Sequence, residues 1–143
     1  MDTDAERQGL QWQVGVWDRI SQLYLREVDP RFATVVENVV RRGELKPGHR
    51  VLDLGTGTGS VAIAAAGLVG PAGKVTGVDI SPDMLALARR RVAESGSTNL
   101  DLREGRAEQL LPRRIYPLRK IRKSHQRRRG RPGGHQFLLR FSE

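Results

Sequence analysis

Apolar positions over residues 13–27 recur at helical spacing: Val16, Ile20, Leu23 and Tyr24 share a face, with Trp17 at its edge. The polar residues before them present no such face, so residues 1–12 read as a flexible N-terminus. Asp29-Pro30 breaks this first helix. Phe32, Val35, Val36, Val39 and Val40 then follow i, i+3, i+4, i+7, i+8 and predict a second amphipathic helix over residues 30–42. Gly43 closes it, and Arg41 and Arg42 sit at the negative end of its dipole. Beyond the turn at Lys46-Pro47-Gly48 the pattern changes. Residues 50–54, 74–79 and 100–103 are short apolar runs bounded by turn residues, and each reads as a strand. Between them lie an alanine-rich helix over residues 60–69 and a helix opened by Ser81-Pro82-Asp83, with Met84, Leu85, Ala88 and Val92 on its apolar face. The alternation of strand and helix implies parallel strands joined by right-handed crossovers, an α/β fold.

Composition bounds what such a domain can do. At 143 residues the chain is one domain. It has no cysteine, so it has neither disulfide framework nor thiolate chemistry. His49, His125 and His135 are isolated and show no metal spacing. No apolar run approaches the roughly 20 residues of a membrane span, and the acidic start (Asp2, Asp4, Glu6) is unlike a secretory signal. The expected location is cytoplasmic. The net charge of +9 is unevenly spread. Residues 1–112 carry 14 Lys and Arg against 15 acids, whereas residues 113–143 carry 11 against one. The body is balanced, and nucleic-acid affinity is expected only as non-specific binding through the tail.

The chemistry concentrates where the first strand ends. Asp53 is followed by Gly55, Thr56, Gly57, Thr58 and Gly59, and a helix begins at once. Closely spaced glycines permit positive φ and leave room for a ligand. The helix behind them offers unpaired N–H groups and a positive dipole end. The spacing is tighter than the G-x-G-x-x-G of dinucleotide sites. An ammonium suits Asp53, and a carboxylate suits the loop amides, as in the methionine end of S-adenosylmethionine. Asp79, at the end of the second strand, is placed to accept ribose hydroxyls, and Ile80 to pack on an adenine.

Val51-Leu52-Asp53-Leu54-Gly55-Thr56-Gly57-Thr58-Gly59, Val78-Asp79-Ile80-Ser81-Pro82-Asp83-Met84-Leu85 and Gly105-Arg106-Ala107-Glu108-Gln109-Leu110 closely resemble the first three motifs of class I S-adenosylmethionine-dependent methyltransferases. The resemblance covers residues 13–112 and is nearest to the ubiquinone and menaquinone C-methyltransferase group. It implies a Rossmann-like fold, S-adenosylmethionine as cofactor and a small-molecule methyl acceptor, quinone-like or other. It also implies Thr58 in the cofactor loop, Asp79 on the ribose, and Arg106 and Ala107 bordering the adenine. The family often has Asp where Arg106 stands, so the Ala107 backbone remains for the adenine amine. No catalytic residue is assigned. Arg89-Arg90-Arg91 reads as a solvated helix face, and Trp12, Trp17 and Tyr24 as packing of the N-terminal helix or as a lid.

After Pro112 arginine, glycine and proline replace the pattern, and no helical or strand period remains. The tail, residues 113–143, reads as a nucleic-acid contact, a solvated disordered segment or, the preferred reading, a non-native frame in place of the family's later strands. The expectation is a fold truncated to about three parallel strands, with the outer edge of the first strand unpaired and prone to self-association. Two readings of activity stay open: a small-molecule methyltransferase, or a cofactor-binding remnant inactive because truncated. Outside the family, an NAD or nucleotide-sugar oxidoreductase domain and a tail-mediated nucleic-acid binder are the alternatives.

Overall fold

A computed structural model describes residues 3–106 and the backbone of residues 137–141. Helix α1 spans Asp4–Leu23. It starts well before residue 13 because Thr3 and Glu6 form a capping box: the Glu6 amide donates to Thr3 Oγ1, and the Thr3 amide donates to the Glu6 carboxylate. The segment expected to be flexible is therefore helical from Asp4 onward. The break expected at Asp29-Pro30 is a tightening instead. The chain passes through a π turn, Tyr24–Val28, and a 3-10 turn, Asp29–Phe32, before α2, Ala33–Arg42. Pro30 sits in the first turn of its short helix, where a missing N–H costs little. Gly43 keeps right-handed angles, and the positive φ after α2 falls on Glu44.

The remaining elements are β1 (Arg50–Leu54), α3 (Ser60–Val69), β2 (Lys74–Asp79), α4 (Pro82–Ser95), β3 (Leu100–Glu104) and β4 (Phe137–Phe141). The sheet order is β3-β2-β1-β4. The β1–β2 and β2–β3 pairs are parallel, which is the expected Rossmann-like core of three parallel strands. Strand β4 is antiparallel to β1, with Leu139 opposite Leu52. Two expectations are corrected here. The tail does contain a strand, and the outer edge of β1 is paired. The run Phe-Leu-Leu-Arg-Phe is rich in aromatic and apolar residues, and the edge of β1 carries backbone groups that need partners. Of the tail expected to lack order, residues 113–136 lie outside the described residues.

The core lies on one face of the sheet. Val39 and Val40 of α2 and Val61, Ala62, Ala65 and Val69 of α3 pack on Val51 and Val75. Each buried valine contributes on the order of 2 kcal/mol, and the alanines let α3 approach the sheet closely. Met84 is buried, as expected of a core residue. This packing fixes the carboxyl ends of β1 and β2 side by side. The loop after each strand therefore opens at the same end of the sheet. Among the described residues, no helix is long and apolar enough to cross a membrane.

Candidate functional site

The loop after β1 takes the conformation its glycines allow. Gly55, Gly57 and Gly59 have φ of 71°, 56° and 83°. Gly59 is the N-cap of α3, and a side chain there would also approach Ala88 Cβ to 3.3 Å. The Gly55 and Thr56 amides donate to Val78 O at 2.8 and 2.9 Å, which sews the loop to β2. The Gly59 amide closes back on Thr56 O at 2.9 Å. No side chain caps α3, so its first-turn N–H groups stand at the mouth of the loop.

Two carboxylates brace this loop. Asp53 is fully buried, and its Oδ2 accepts the Thr56 hydroxyl at 2.8 Å. It lies beneath the loop, outside the cleft wall. Asp79 Oδ2 accepts the Gly57 amide at 2.8 Å and its Oδ1 accepts the Ser81 amide at 3.0 Å. Burial holds the Asp79 carboxyl above its ordinary value. The Ser81, Gly57 and Ile80 amides pull it back, and the negative charge of Asp18 pushes the same way as burial.

A cleft opens above the loop. Gly55, Thr56, Gly57, Thr58 and Ser60 form its floor, and Tyr24, Asp29, Phe32, Val35 and Val36 form its wall. The wall comes from the π and 3-10 turns and from α2. Tyr24 thus faces the cleft rather than serving only as helix packing, and Trp17 meets it edge-on with ring centroids 6.2 Å apart. Burial raises the Tyr24 hydroxyl above its ordinary value, and the charges of Asp29 and Asp79 add to this. Trp12 is 64% exposed and takes no part.

The structure gathers four of the sequence-predicted residues, Gly55, Thr56, Gly57 and Thr58, on the cleft floor. Asp53 and Asp79 support them, and Gly59 turns the chain into α3. Ile80 is half-buried beside Asp79. Arg106 is half-buried after β3, outside the cleft lining. Its charge is felt at Glu6, whose carboxyl is lowered chiefly by the Thr3 hydrogen bonds and further by Arg106. Ala107 lies outside the described residues.

Three side chains to which the sequence reading gave no place in the site also join it. Asp29 Oδ2 accepts the Thr58 hydroxyl and an Arg91 N–H, the latter at 2.9 Å. Arg91 is therefore no member of a solvated face. Asp18 Oδ1, from α1, accepts the Ser81 hydroxyl at 2.6 Å, while Ser81 Oγ accepts the Met84 amide at 3.1 Å. Contacts between residues some 60 positions apart leave no periodic trace. The only local signal was an acid at Asp29 in a turn.

The family described as "Methyltransferase domain" matches residues 45–121. A demethylmenaquinone methyltransferase of Geobacillus kaustophilus is 43% identical over 74 residues, covering 52% of this chain and 32% of that protein. An arsenite methyltransferase of Halobacterium salinarum is 46% identical over 61 residues, covering 43% of this chain and 16% of that protein. The chain thus spans a third or less of the length of these two curated relatives. Among solved structures, TrmN from Thermus thermophilus superposes with a TM-score of 0.52 and 30% identity, covering 56% of this chain and 25% of that one. The family match takes in the glycine loop, both bracing carboxylates and all three parallel strands, and extends over more than half of the sequence. The chain belongs to the methyltransferase domain family.

Proposed function

We propose that the cleft above residues 55–60 binds S-adenosylmethionine, and that the chain is the cofactor-binding part of a methyltransferase acting on a small molecule. The observation that carries this reading is the pairing of Asp79 with the Gly57 amide at the mouth of an α3 that no side chain caps. Asp79, next to the cleft and outside its lining, then offers an acidic acceptor, and the first turn of α3 offers N–H groups that no side chain caps. The residues fit the group. An ionised carboxylate has about four acceptor positions, so Asp79 retains capacity for ribose hydroxyls beyond the Gly57 and Ser81 amides. The first turn of α3 favours a carboxylate through its N–H groups and dipole. Asp53 fixes Thr56 from beneath the loop and would be the carboxyl group nearest the ammonium in this reading. Ile80, half-buried beside Asp79, would supply an apolar surface for the adenine, and the resemblance assigns Arg106 and Ala107 to the same end.

When bound, the cofactor supplies a methyl group on a sulfonium, already activated for transfer. The chain's own task is to hold and orient it, because transfer depends on alignment with the acceptor. Tyr24 and Phe32 wall the cleft. Relatives named for demethylmenaquinone and for arsenite support a small-molecule acceptor as a class. Isothermal titration with S-adenosylmethionine, S-adenosylhomocysteine, NAD and a short DNA duplex tests the proposal. Saturable binding of the first two is expected. Binding of NAD alone would overturn it, and salt-sensitive binding of DNA alone would transfer the function to the basic tail.

A further inference from the structure

Arg91 lies near the C-terminal end of α4, away from the residues that the glycine-loop pattern identifies, yet its Nη1 makes four contacts into the site. It donates to Thr58 O at 2.9 Å, Thr58 Oγ1 at 3.1 Å, Ser60 Oγ at 2.9 Å and Asp29 Oδ2 at 2.9 Å. The Thr58 hydroxyl in turn donates to the same Asp29 oxygen. Three separate segments therefore meet at one cation: the turn that walls the cleft, the loop that floors it and the helix behind both. The Asp29 side chain is 12% exposed and that of Arg91 31%, so the pair is partly shielded from solvent. Removing either charge leaves the other poorly hydrated, which costs more than losing a surface pair.

The same helix grips α1 at its other end. Asp18 Oδ1 accepts the Ser81 hydroxyl at 2.6 Å and the Asp83 amide at 3.3 Å. The turns at Tyr24–Val28 and Asp29–Phe32 follow α1 directly and are held to α4 on both sides. With Asp29 released, the wall carrying Tyr24 and Phe32 loses its polar link to the floor.

We propose that Arg91 is a positioning residue of the cofactor site: through Asp29 and Thr58 it latches the wall of the cleft onto the glycine loop and sets the loop's geometry. The consequence for ligand rests on the S-adenosylmethionine assignment above; the latch itself does not. Arg91 does not line the cleft, and it acts through Thr58, Ser60 and Asp29. Lysine keeps the charge on a shorter stem and makes a single-point contact, so it restores the latch in part.

The test compares the 143-residue wild type with Arg91→Met, Arg91→Lys, Asp29→Asn and the double variant Arg91→Met/Asp29→Asn. Amide exchange without ligand is followed at Asp29, Gly57 and Gly59, whose N–H groups bond to Tyr24 O, Asp79 and Thr56 O. In Arg91→Met these three amides exchange faster while those of β1 and β2 keep their protection, and Arg91→Lys falls between. S-adenosylmethionine affinity drops about ten- to hundredfold in Arg91→Met, and the double variant loses no more than the worse single one. Unchanged exchange at the three amides in Arg91→Met and in the milder Asp29→Asn overturns the latch, even if ligand binds. Additive losses in the double variant overturn the coupling through Asp29. Faster exchange in a protein whose wild type binds no S-adenosylmethionine upholds the latch and defeats the cofactor assignment alone.

Discussion

Asp79 joins the two strand ends, since its carboxylate takes amide hydrogens from Gly57 and Ser81 while burial holds its pKa above the ordinary value near 3.8. The sign of its linkage follows. A folded-state pKa above the unfolded one means that the folded chain binds the extra proton. The stabilising contribution is complete below the unfolded value and is lost as pH rises through the folded one. Ligand affinity runs the opposite way. The ionised carboxylate is the better acceptor for ribose hydroxyls, so on the proposed assignment S-adenosylmethionine binding should strengthen as pH rises through the same window. Titrations from pH 4 to 8 should show this slope (roughly one proton at most), and Asp79→Asn should flatten it while weakening binding about tenfold or more. A slope unchanged in Asp79→Asn assigns the proton to another group. Gly77 tests the floor from the other side. An added Cβ would stand 2.8 Å from both Thr56 Oγ1 and Leu102 Cδ2. Gly77→Ala should therefore cost about 1–3 kcal/mol in denaturant unfolding and disturb the Asp53–Thr56 bond; a wild-type midpoint would show that Thr56 yields without strain.

Elements were more legible than the contacts between them. The change from helical to strand periodicity marked β1, β2 and α4 closely, because each is bounded by turn chemistry such as Lys46-Pro47-Gly48 and Ser81-Pro82-Asp83. The start of α1 escaped, since residues 4–12 carry no apolar stripe and the helix is held there by the cap at Thr3. The glycine loop was readable because a local conformation, three positive-φ glycines, imposes a local pattern. Asp29, Arg91 and Asp18 were not, because their partners are set by how α1, α4 and the loop dock. Ser81 shows both kinds of information. Its place before Pro82 announced an N-cap, but its bond to Asp18 on α1 belongs to the tertiary structure. Ser81→Ala removes both, at about 1–2 kcal/mol. The expected result is a lower melting temperature together with faster amide exchange in α1. A loss confined to the first turn of α4 would mean that Asp18 contributes nothing to docking.

At the scale of the whole molecule, one face of the sheet is covered by α2 and α3, while the order β3-β2-β1-β4 leaves β1 inside only because β4 lies beside it. The charge distribution is just as uneven, with a balanced body and a tail that is strongly basic and still supplies this strand. The β4 pairing is antiparallel over five residues, from Arg50 opposite Phe141 to Leu54 opposite Phe137. It satisfies backbone groups on the strand that leads into the glycine loop. A chain ending at residue 136 keeps most of the tail's charge and loses only this cover. Its β1 edge then presents unpaired N–H and C=O groups beside apolar side chains, an arrangement that recruits another chain. Sedimentation velocity across a hundredfold range of concentration should show self-association of the shortened chain and little for the 143-residue one. Because β1 positions Asp53 and the loop after it, S-adenosylmethionine affinity should fall alongside. If the shortened chain stays monomeric and binds as tightly as the 143-residue one, β4 contributes neither edge protection nor support to the site.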